Sequence, residues 1–468
     1  MKKVVIVGAG LIGCFAARAL SEYDIDITML ERNGDVCTGI SKAGMGIVYA
    51  GYDTKPGSLK SSMTISSNQK FEELCKLLDV RYKKCGSLML SYGPAADERI
   101  QRKLDNGRIG GISGLRVISR DEALSLEPHL NPNISTALYS EETGTVNPWE
   151  FCIAAYECAA SNGAEFRFNE TVRNIRREGK EFVVETDIAT YLTDAVINCA
   201  GLNSDSIREL CEQPYIRIVP TLADYLVTDN KLAGYINHII FHEPESKSKG
   251  LTIVPTIDGN LLIGGTERST DSNASFNATS AQGIDELKKL CEQIVPDMPL
   301  DAFIRSYACS RPNPFYVDEK GNLISEKKSI SELKLVEDNG LYSFIGVKTP
   351  GMTMAPELGR YLTEKVLKQF GNTPKRCDYK PYRHGIVRPK SMDDAERAAF
   401  ISEHPEYGKI ICRCEGISEG EIREAIRRGA GTVEAVKRRT SSGMGRCQGS
   451  YCRQQILQLL DETNKING

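Results

Sequence analysis

At 468 residues the chain is longer than one hydrophobic core usually serves, so two or three domains are expected. Hydrophobic residues make up 41% and charged residues 26%, a soluble globular balance, and the net charge of -3 gives no general attraction to nucleic acid or acidic membranes. No apolar run reaches the ~18 residues of a spanning helix and no basic patch is interleaved with aromatics. These features predict a cytoplasmic protein that meets no nucleic acid and touches membranes at most peripherally.

The first predicted element is an apolar strand over residues 3–7, followed by Gly8-x-Gly10-x-x-Gly13, a helix over 14–22 and a second strand, 26–30, ending in Glu31. Glu31 stands 18 residues after the third glycine, which completes the strand, turn, helix, strand and acid of a dinucleotide site. Gly8 makes the turn, Gly10 lets backbone approach a pyrophosphate, and Gly13 lets helix and strand pack closely. The helix N-terminus then stabilises phosphates, and Glu31 can accept hydrogen bonds from ribose hydroxyls. The same start has the charge and apolar run of a signal peptide, but no small-residue cleavage site follows, so strand and turn is the better reading.

Next come a helix over 148–162, two strands within 165–186 around Glu178-Gly179-Lys180, and a buried strand over 195–199 that runs into Ala200-Gly201. Residues 215–310 are rich in β-type runs such as 250–255 and 260–265, and a strand over 341–347 leads through Pro350-Gly351 to a helix over 355–370. This order fits a dinucleotide domain interrupted by a β-rich one. Residues 371–408, with four prolines and many charges, read as an extended connector. Beyond it, Ser418-x-x-Glu421 is a capping box for a helix that stops at Gly429, and a second short helix spans 432–438.

Eleven of the fifteen cysteines are scattered as small buried hydrophobes would be. The other four form a pattern: Cys412-x-Cys414, 32 residues, then Cys447-x4-Cys452. Four converging thiolates hold either zinc or an iron–sulfur cluster, and Gly443, Gly445 and Gly449 favour a loop whose N–H groups reach sulfur.

The segment Ser41-Lys42-Ala43-Gly44-Met45-Gly46-Ile47-Val48-Tyr49-Ala50-Gly51-Tyr52, with Lys55-Pro56-Gly57-Ser58-Leu59 behind it, resembles the second flavin-contacting loop of the D-amino-acid-oxidase-like FAD superfamily. The likeness is to its L-2-hydroxyglutarate and anaerobic glycerol-3-phosphate dehydrogenase branches. Thr145-Val146-Asn147-Pro148, Asn198-Cys199-Ala200-Gly201, Gly264-Gly265-Thr266, Ser310-Arg311-Pro312 and Gly346-Val347-Lys348-Thr349-Pro350-Gly351 extend it in order over residues 1–370. The region from Cys412-Arg413-Cys414-Glu415 through Lys437-Arg438-Arg439-Thr440 to Cys452 resembles the bacterioferritin-associated-ferredoxin type of [2Fe-2S] domain.

The resemblance implies an α/β protein. Its Rossmann-like FAD-binding domain would use about 1–75, 145–210 and 335–370, with an inserted β-rich α+β substrate domain over 76–144 and 211–334. The linker 371–408 and a small helical [2Fe-2S] domain over 409–468 would follow. Gly8, Gly10, Gly13, Glu31 and Arg32 would hold the ADP half of FAD, Ser41, Lys42, Ala43, Gly46 and Ile47 the flavin, Val172 the adenine, and Ala200 and Gly201 the pyrophosphate. Gly351, Met352 and Thr353 would aim a helix N-terminus at the flavin edge that becomes negative on reduction. Cys412, Cys414, Cys447 and Cys452 would ligate the cluster.

The activity so implied is a dehydrogenase that takes hydride from a small anionic 2-hydroxy acid or sn-glycerol 3-phosphate onto flavin N5 and passes electrons through the cluster to an electron-transfer flavoprotein partner. Arg311 would pair with the substrate anion, Lys348 is a second anion contact, and Glu267 and Arg268 are further pocket candidates. Relatives often carry a histidine base where Tyr49 stands, and His129, His238, His242, His384 and His404 lie outside the flavin loops and read as structural. Tyr49, Tyr52 or Lys348 can serve as base only with a lowered pKa. Two alternatives stay open: a non-catalytic electron-transfer subunit, or one component of an amino- or imino-acid dehydrogenase. Residues 409–468 carry 11 Lys/Arg against 7 Asp/Glu, which would guide an acidic partner or form a plain solvated helix face.

Overall fold

In the strand Lys2–Val7 successive side chains enter two different cores, as the two-residue period of a strand requires. Val4 and Ile6 pack with Phe15, Phe151 and Leu358 of the helices Leu11–Leu20, Pro148–Ser161 and Gly351–Phe370. Val5 and Val7 pack with Ile175, Phe182 and Val184 of the antiparallel meander Val172–Glu178, Glu181–Thr186 and Thr190–Thr193. Each aliphatic side chain fully removed from water here contributes about 1.5–3 kcal/mol. The computed structural model describes residues 1–244, 250–269, 278–325 and 329–467, without the side chains of 464–467.

The strand is central in a six-stranded sheet of order Leu335–Asp338, Leu341–Phe344, Ala195–Asn198, Lys2–Val7, Ile25–Glu31, Glu165–Phe168. All neighbours run parallel except the edge strand Leu335–Asp338. The second layer is a larger mixed sheet built on two long antiparallel strands, Ile216–Thr228 and Phe303–Tyr316. The helix Ala281–Ile294 covers one face of that sheet, and the other face carries Tyr225, Phe241 and Cys309 against Tyr52 and Ile47. This is the expected α/β FAD-binding fold with an inserted β-rich domain.

The chain divides into two units, Met1–Arg383 and His384–Gly468. Residues 371–383, expected to start an extended connector, instead run along the first unit because their backbone serves it. Asp24 N–H donates to the Pro374 carbonyl (2.9 Å), Arg18 to that of Pro381 (2.8 Å), and Asn162 to that of Lys380 (2.8 Å). Within the second unit Asp393 and Glu396 form a capping box that turns Asp394–Glu403 into a helix. The helix expected from residue 355 begins at Gly351, since Pro356 is accommodated inside its N-terminal part rather than opening it.

The second unit joins a short hairpin, Ile410–Cys412 with Ile417–Ser418, to the helices Glu419–Arg427, Val433–Thr440 and Arg453–Asn467 around Ile411, Ile422, Val436, Ile456 and Leu460. The capping box of Ser418 and Glu421 is present as expected. The helix Arg453–Asn467 was not foreseen. Among the described residues no helix is long and apolar enough to cross a membrane.

Candidate active site and cluster site

A cleft of about 360 Å³ opens at the carboxyl ends of the parallel strands, where ligands bind in open α/β sheets. Gly8, Gly10, Glu31, Arg32, Ser41, Val172, Ala200 and Gly201 all line it. Gly8 has φ +102°, and a Cβ there would stand 2.6 Å from the Cys199 carbonyl oxygen, so this approach of backbones needs glycine. Glu31 is fixed from both sides: Ala9 N–H donates to its Oε2 (2.9 Å), and Asn33 donates to Oε1 through N–H (2.9 Å) and Nδ2 (2.7 Å). Ser41 Oγ accepts from Leu11 N–H (3.1 Å), while Gly10 leaves the Leu11–Leu20 helix start without a side-chain cap. A helix N-terminus with no side-chain cap of its own, facing a glycine-lined cradle with a fixed carboxylate beyond it, fits the pyrophosphate and ribose of a dinucleotide.

Gly13 does not line the cleft; its role is packing, since a Cβ would meet the Gly8 carbonyl at 2.1 Å. Gly13→Val is therefore expected to cost roughly 1–3 kcal/mol of overpacking. Thermal melting should fall by several degrees, and gel filtration should strip the yellow cofactor from the variant.

A second cavity, about 660 Å³, lies between the inserted sheet and the loop after Ile47–Val48, with Tyr49, Tyr52, Lys60, His242 and Arg311 on its walls. Thr349 and Pro350 line it while Val347 lines the first cleft, so Lys348 sits at the junction of the two. Arg311 projects from Phe303–Tyr316 at the register of Thr221 and donates to the Tyr225 hydroxyl (3.4 Å), whose ring stacks on Tyr307 with centroids 4.9 Å apart. Burial works against its charge, yet Tyr225, Glu267 and Tyr49 hold its pKa above the ordinary arginine value. Lys348 Nζ donates to Asn313 Oδ1 (2.9 Å) and Ser329 Oγ (3.0 Å). Burial pushes its ammonium down, with Glu267 opposing and Arg311 adding to the shift. Lys60 is pushed down by burial and then by Lys348, so Lys60, Lys348 and Arg311 crowd one region. Like charges held together in partial burial are a site for an anion of more than one charge.

Tyr49 stacks on Phe241 (5.9 Å), and its N–H donates to Thr353 Oγ1 (3.0 Å), which in turn donates to the Ile47 carbonyl (3.2 Å). Burial, then Asp53 and Tyr225, drive the Tyr49 phenol up, against Arg311. Tyr52 is driven up by burial as well. Neither has the lowered pKa that a base requires, and both stay O–H donors at neutral pH.

In the second unit the thiols meet as pairs: Cys452 with Cys412, and Cys414 with Cys447. Gly443 N–H donates to Cys412 Sγ (3.3 Å), and a Cβ on Gly443 would come within 3.6 Å of Cys452 Sγ. Cys412 and Cys452 are buried, Cys447 is half-buried and Cys414 is exposed. Two thiol pairs, with a backbone N–H on sulfur, fit a cluster with two thiolates on each of two irons.

The family description FAD dependent oxidoreductase matches residues 3–365, and BFD-like [2Fe-2S] binding domain matches residues 410–462. The chain belongs to the FAD-dependent oxidoreductase family. It is 34% identical over 462 residues to a glycerol 3-phosphate dehydrogenase of Caloramator mitchellensis, covering 98% of this chain and 94% of that one. It is 26% identical to one of the subunits of the anaerobic glycerol-3-phosphate dehydrogenase of Escherichia coli K12, over 98% of this chain and 88% of that one. Its fold resembles that of the dithionite-reduced, FAD-bound L-α-glycerophosphate oxidase of Mycoplasma pneumoniae, with TM-score 0.73, 24% identity, and 82% and 99% of the two chains covered. Its cofactors are accordingly FAD and a [2Fe-2S] cluster.

Within this oxidoreductase several expected residues take other places. Lys42 is exposed, and its carbonyl accepts from Trp149 Nε1 (2.6 Å). Ala43 and Ile47 pack in the core beneath the second cavity, Met352 packs against the helical core, and Gly46 and Gly351 lie outside the linings of both cavities. Arg268 is turned away to the buried Asp224 (3.2 and 3.3 Å), whereas Glu267 stays close enough to act on Arg311 and Lys348.

Among the cavity residues that escaped the sequence reading are Lys60 and His242. Lys60 follows the Lys55-Pro56-Gly57-Ser58-Leu59 motif in the first turn of Leu59–Leu77, which could have drawn attention to it. His242, read as structural, lines the cavity, and its Nδ1 is buried without a hydrogen-bond partner among the described residues. Burial pushes its pKa down, with Glu243 opposing, so its imidazole is neutral at neutral pH.

Proposed function

We propose that this FAD-dependent oxidoreductase oxidises sn-glycerol 3-phosphate to the corresponding ketone and passes the electrons through its cluster to a protein partner. The observation that carries the substrate is that Lys60 and Arg311 line the second cavity and that Lys348, at its junction with the first cleft, is close enough to act on both. A phosphate dianion suits them: the arginine fork can take two of its oxygens while the two ammonium groups act as point charges. The relation to glycerol 3-phosphate dehydrogenases points the same way. Bound FAD would supply a two-electron acceptor for the carbinol hydride, and the cluster a one-electron store.

The chain's own groups would hold the phosphate, exclude water and manage one proton. In this reading neutral His242 accepts the hydroxyl proton as the C–H bond is given up, and Tyr49 donates a hydrogen bond to the substrate oxygen. A group with a depressed pKa is deprotonated above that pKa and lost as a base below it. The acid limb of kcat/KM is therefore expected below the ordinary imidazole value, and His242→Gln should remove the limb and lower kcat by ~10²–10⁴-fold. A limb well above neutrality that survives in His242→Gln would transfer the role to Lys348.

The substrate assignment is tested by anaerobic flavin bleaching with glycerol 3-phosphate, lactate, 2-hydroxyglutarate, proline and sarcosine. Rapid bleaching by glycerol 3-phosphate alone is expected. Faster bleaching by any of the others, or none by any compound, would reject the assignment.

A further inference from the structure

The exposed edge of the cluster site is ringed by arginines. Arg413 lies between the ligands Cys412 and Cys414, Arg446 immediately precedes Cys447, and Arg453 immediately follows Cys452. All three are exposed, and none has an ion-pair or side-chain hydrogen-bond partner among the described residues. The fold brings them to one place. Gly445 packs on Cys414 and Glu415, where a Cβ would come within 2.6 Å of the Cys414 Cβ, and this holds the loop that carries Arg446 against the loop that carries Arg413. Gly449 lies 3.9 Å, by the same measure, from the Cβ of Arg453 and 3.8 Å from Gly443, whose N–H reaches Cys412. Tyr451 stands among them with 71% of its surface exposed, unusual for a large aromatic side chain in a monomeric protein.

One carboxylate reaches this edge: Glu415, the acid in the loop, is half-buried, with its side chain against Gly445 and its carbonyl accepting from Lys390 Nζ (3.1 Å). Glu419 and Glu424 are engaged by Arg423, Arg427 and Arg428. Those three arginines are paired with carboxylates, while Arg413, Arg446 and Arg453 outnumber the one carboxylate, Glu415, that stands with them.

We propose that the collar of Arg413, Arg446 and Arg453 around Cys414 and Tyr451 is the docking surface for an acidic one-electron carrier protein, whose carboxylates around its own cofactor face the arginines. The surface rests on the reading of the cluster as the electron exit and assigns the charge of what receives the electrons. Exposed cations next to the ligands steer an oppositely charged partner and speed encounter by roughly 10–10³-fold at low ionic strength. The exposed ring of Tyr451 supplies the apolar centre that such a polar contact lacks. One electron moves per encounter: the carrier and the cluster change by one unit each, in opposite directions, and no proton or bond is exchanged.

The test uses the holoprotein without substrate, so it is independent of which compound reduces the flavin. Photoreduced flavodoxin, an acidic carrier, gives one electron to the oxidised cluster in an anaerobic stopped-flow cell, followed by the cluster's absorbance and the EPR signal of the reduced form. In the native protein the rate should fall steeply as salt is raised. In Arg413→Gln/Arg446→Gln/Arg453→Gln it should be at least tenfold lower at low salt and nearly independent of salt, with reduction by dithionite and the EPR line shape unchanged. Cytochrome c, a basic carrier, oxidising the reduced cluster should show the opposite salt dependence in the native protein. Should the triple variant lose its cluster, the opposed salt dependences of the two carriers on the native protein decide the matter by themselves. Equal salt dependence for both carriers, or a triple variant that matches the native rate, overturns the proposal. So does a variant whose one defect is weaker binding to phosphatidylglycerol vesicles, which would make the collar a membrane contact.

Discussion

Arg311→Leu is expected to lower kcat/KM for glycerol 3-phosphate by roughly 30- to 4,000-fold while FAD remains bound at full occupancy. The range follows from the ~2–5 kcal/mol that breaking a buried, hydrogen-bonded charge pair costs. The fold should survive. The strand that carries Arg311 is paired along its length, from Phe303 against Thr228 to Tyr316 against Ile216, and among the described residues the side chain makes one long hydrogen bond, to the Tyr225 hydroxyl at 3.4 Å. Tyr225 keeps its stack on Tyr307 whether or not the guanidinium is present. Flavin absorbance after desalting reports cofactor content, and anaerobic bleaching reports the substrate step. Arg311→Lys should recover only part of the loss, because it restores charge without the planar fork that takes two phosphate oxygens. Unchanged kinetics in Arg311→Leu would place the anion elsewhere in the cavity, with Lys60 and Lys348 as the remaining cations.

The dinucleotide cleft was legible because its signals are local. Strand, glycine turn, helix, strand and acid fall within residues 1–31, and each position in that run answers to one backbone constraint. The substrate cavity was legible only in part. His242 reaches it because the strand Ile239–His242 pairs parallel to Ser87–Ser91, more than 140 residues away, and no local pattern states that register. Tyr49 shows the same limit from the other side: its place on the cavity wall lay within the loop that the sequence singled out, but the sign of its pKa shift depends on burial beneath the inserted sheet.

Two other features were available and passed over. Ile456, Leu459 and Leu460 repeat at helical spacing after the last cysteine and mark Arg453–Asn467. The prolines of residues 371–383 suggested a free connector, but a proline-bearing segment can still lend its carbonyls to a neighbour, as Pro374 and Pro381 do.

Cys412→Ser is expected to abolish the cluster and, with it, turnover coupled to a one-electron protein acceptor, while leaving substrate reduction of the flavin at the native rate. The ligands differ in how much loss each can absorb. Cys412 and Cys452 are buried in the small core with Ile411 and Ile456, and Cys412 also receives the Gly443 N–H, so a serine there has neither the reach nor the softness to replace sulfur, and water has little access to the vacancy. Cys414 is exposed, and in Cys414→Ser the hydroxyl or solvent can complete the coordination, so that variant should keep part of its iron with an altered EPR spectrum. Iron and sulfide analysis, EPR of the reduced protein and single-turnover flavin bleaching separate the three quantities. The units divide after Arg383, so loss of the cluster in the second should not disturb the sheet and cleft that would hold FAD in the first. If Cys412→Ser lacked iron yet still reduced a one-electron carrier protein at the native rate, electrons would be leaving directly from the flavin, and the four cysteines would have a structural task instead.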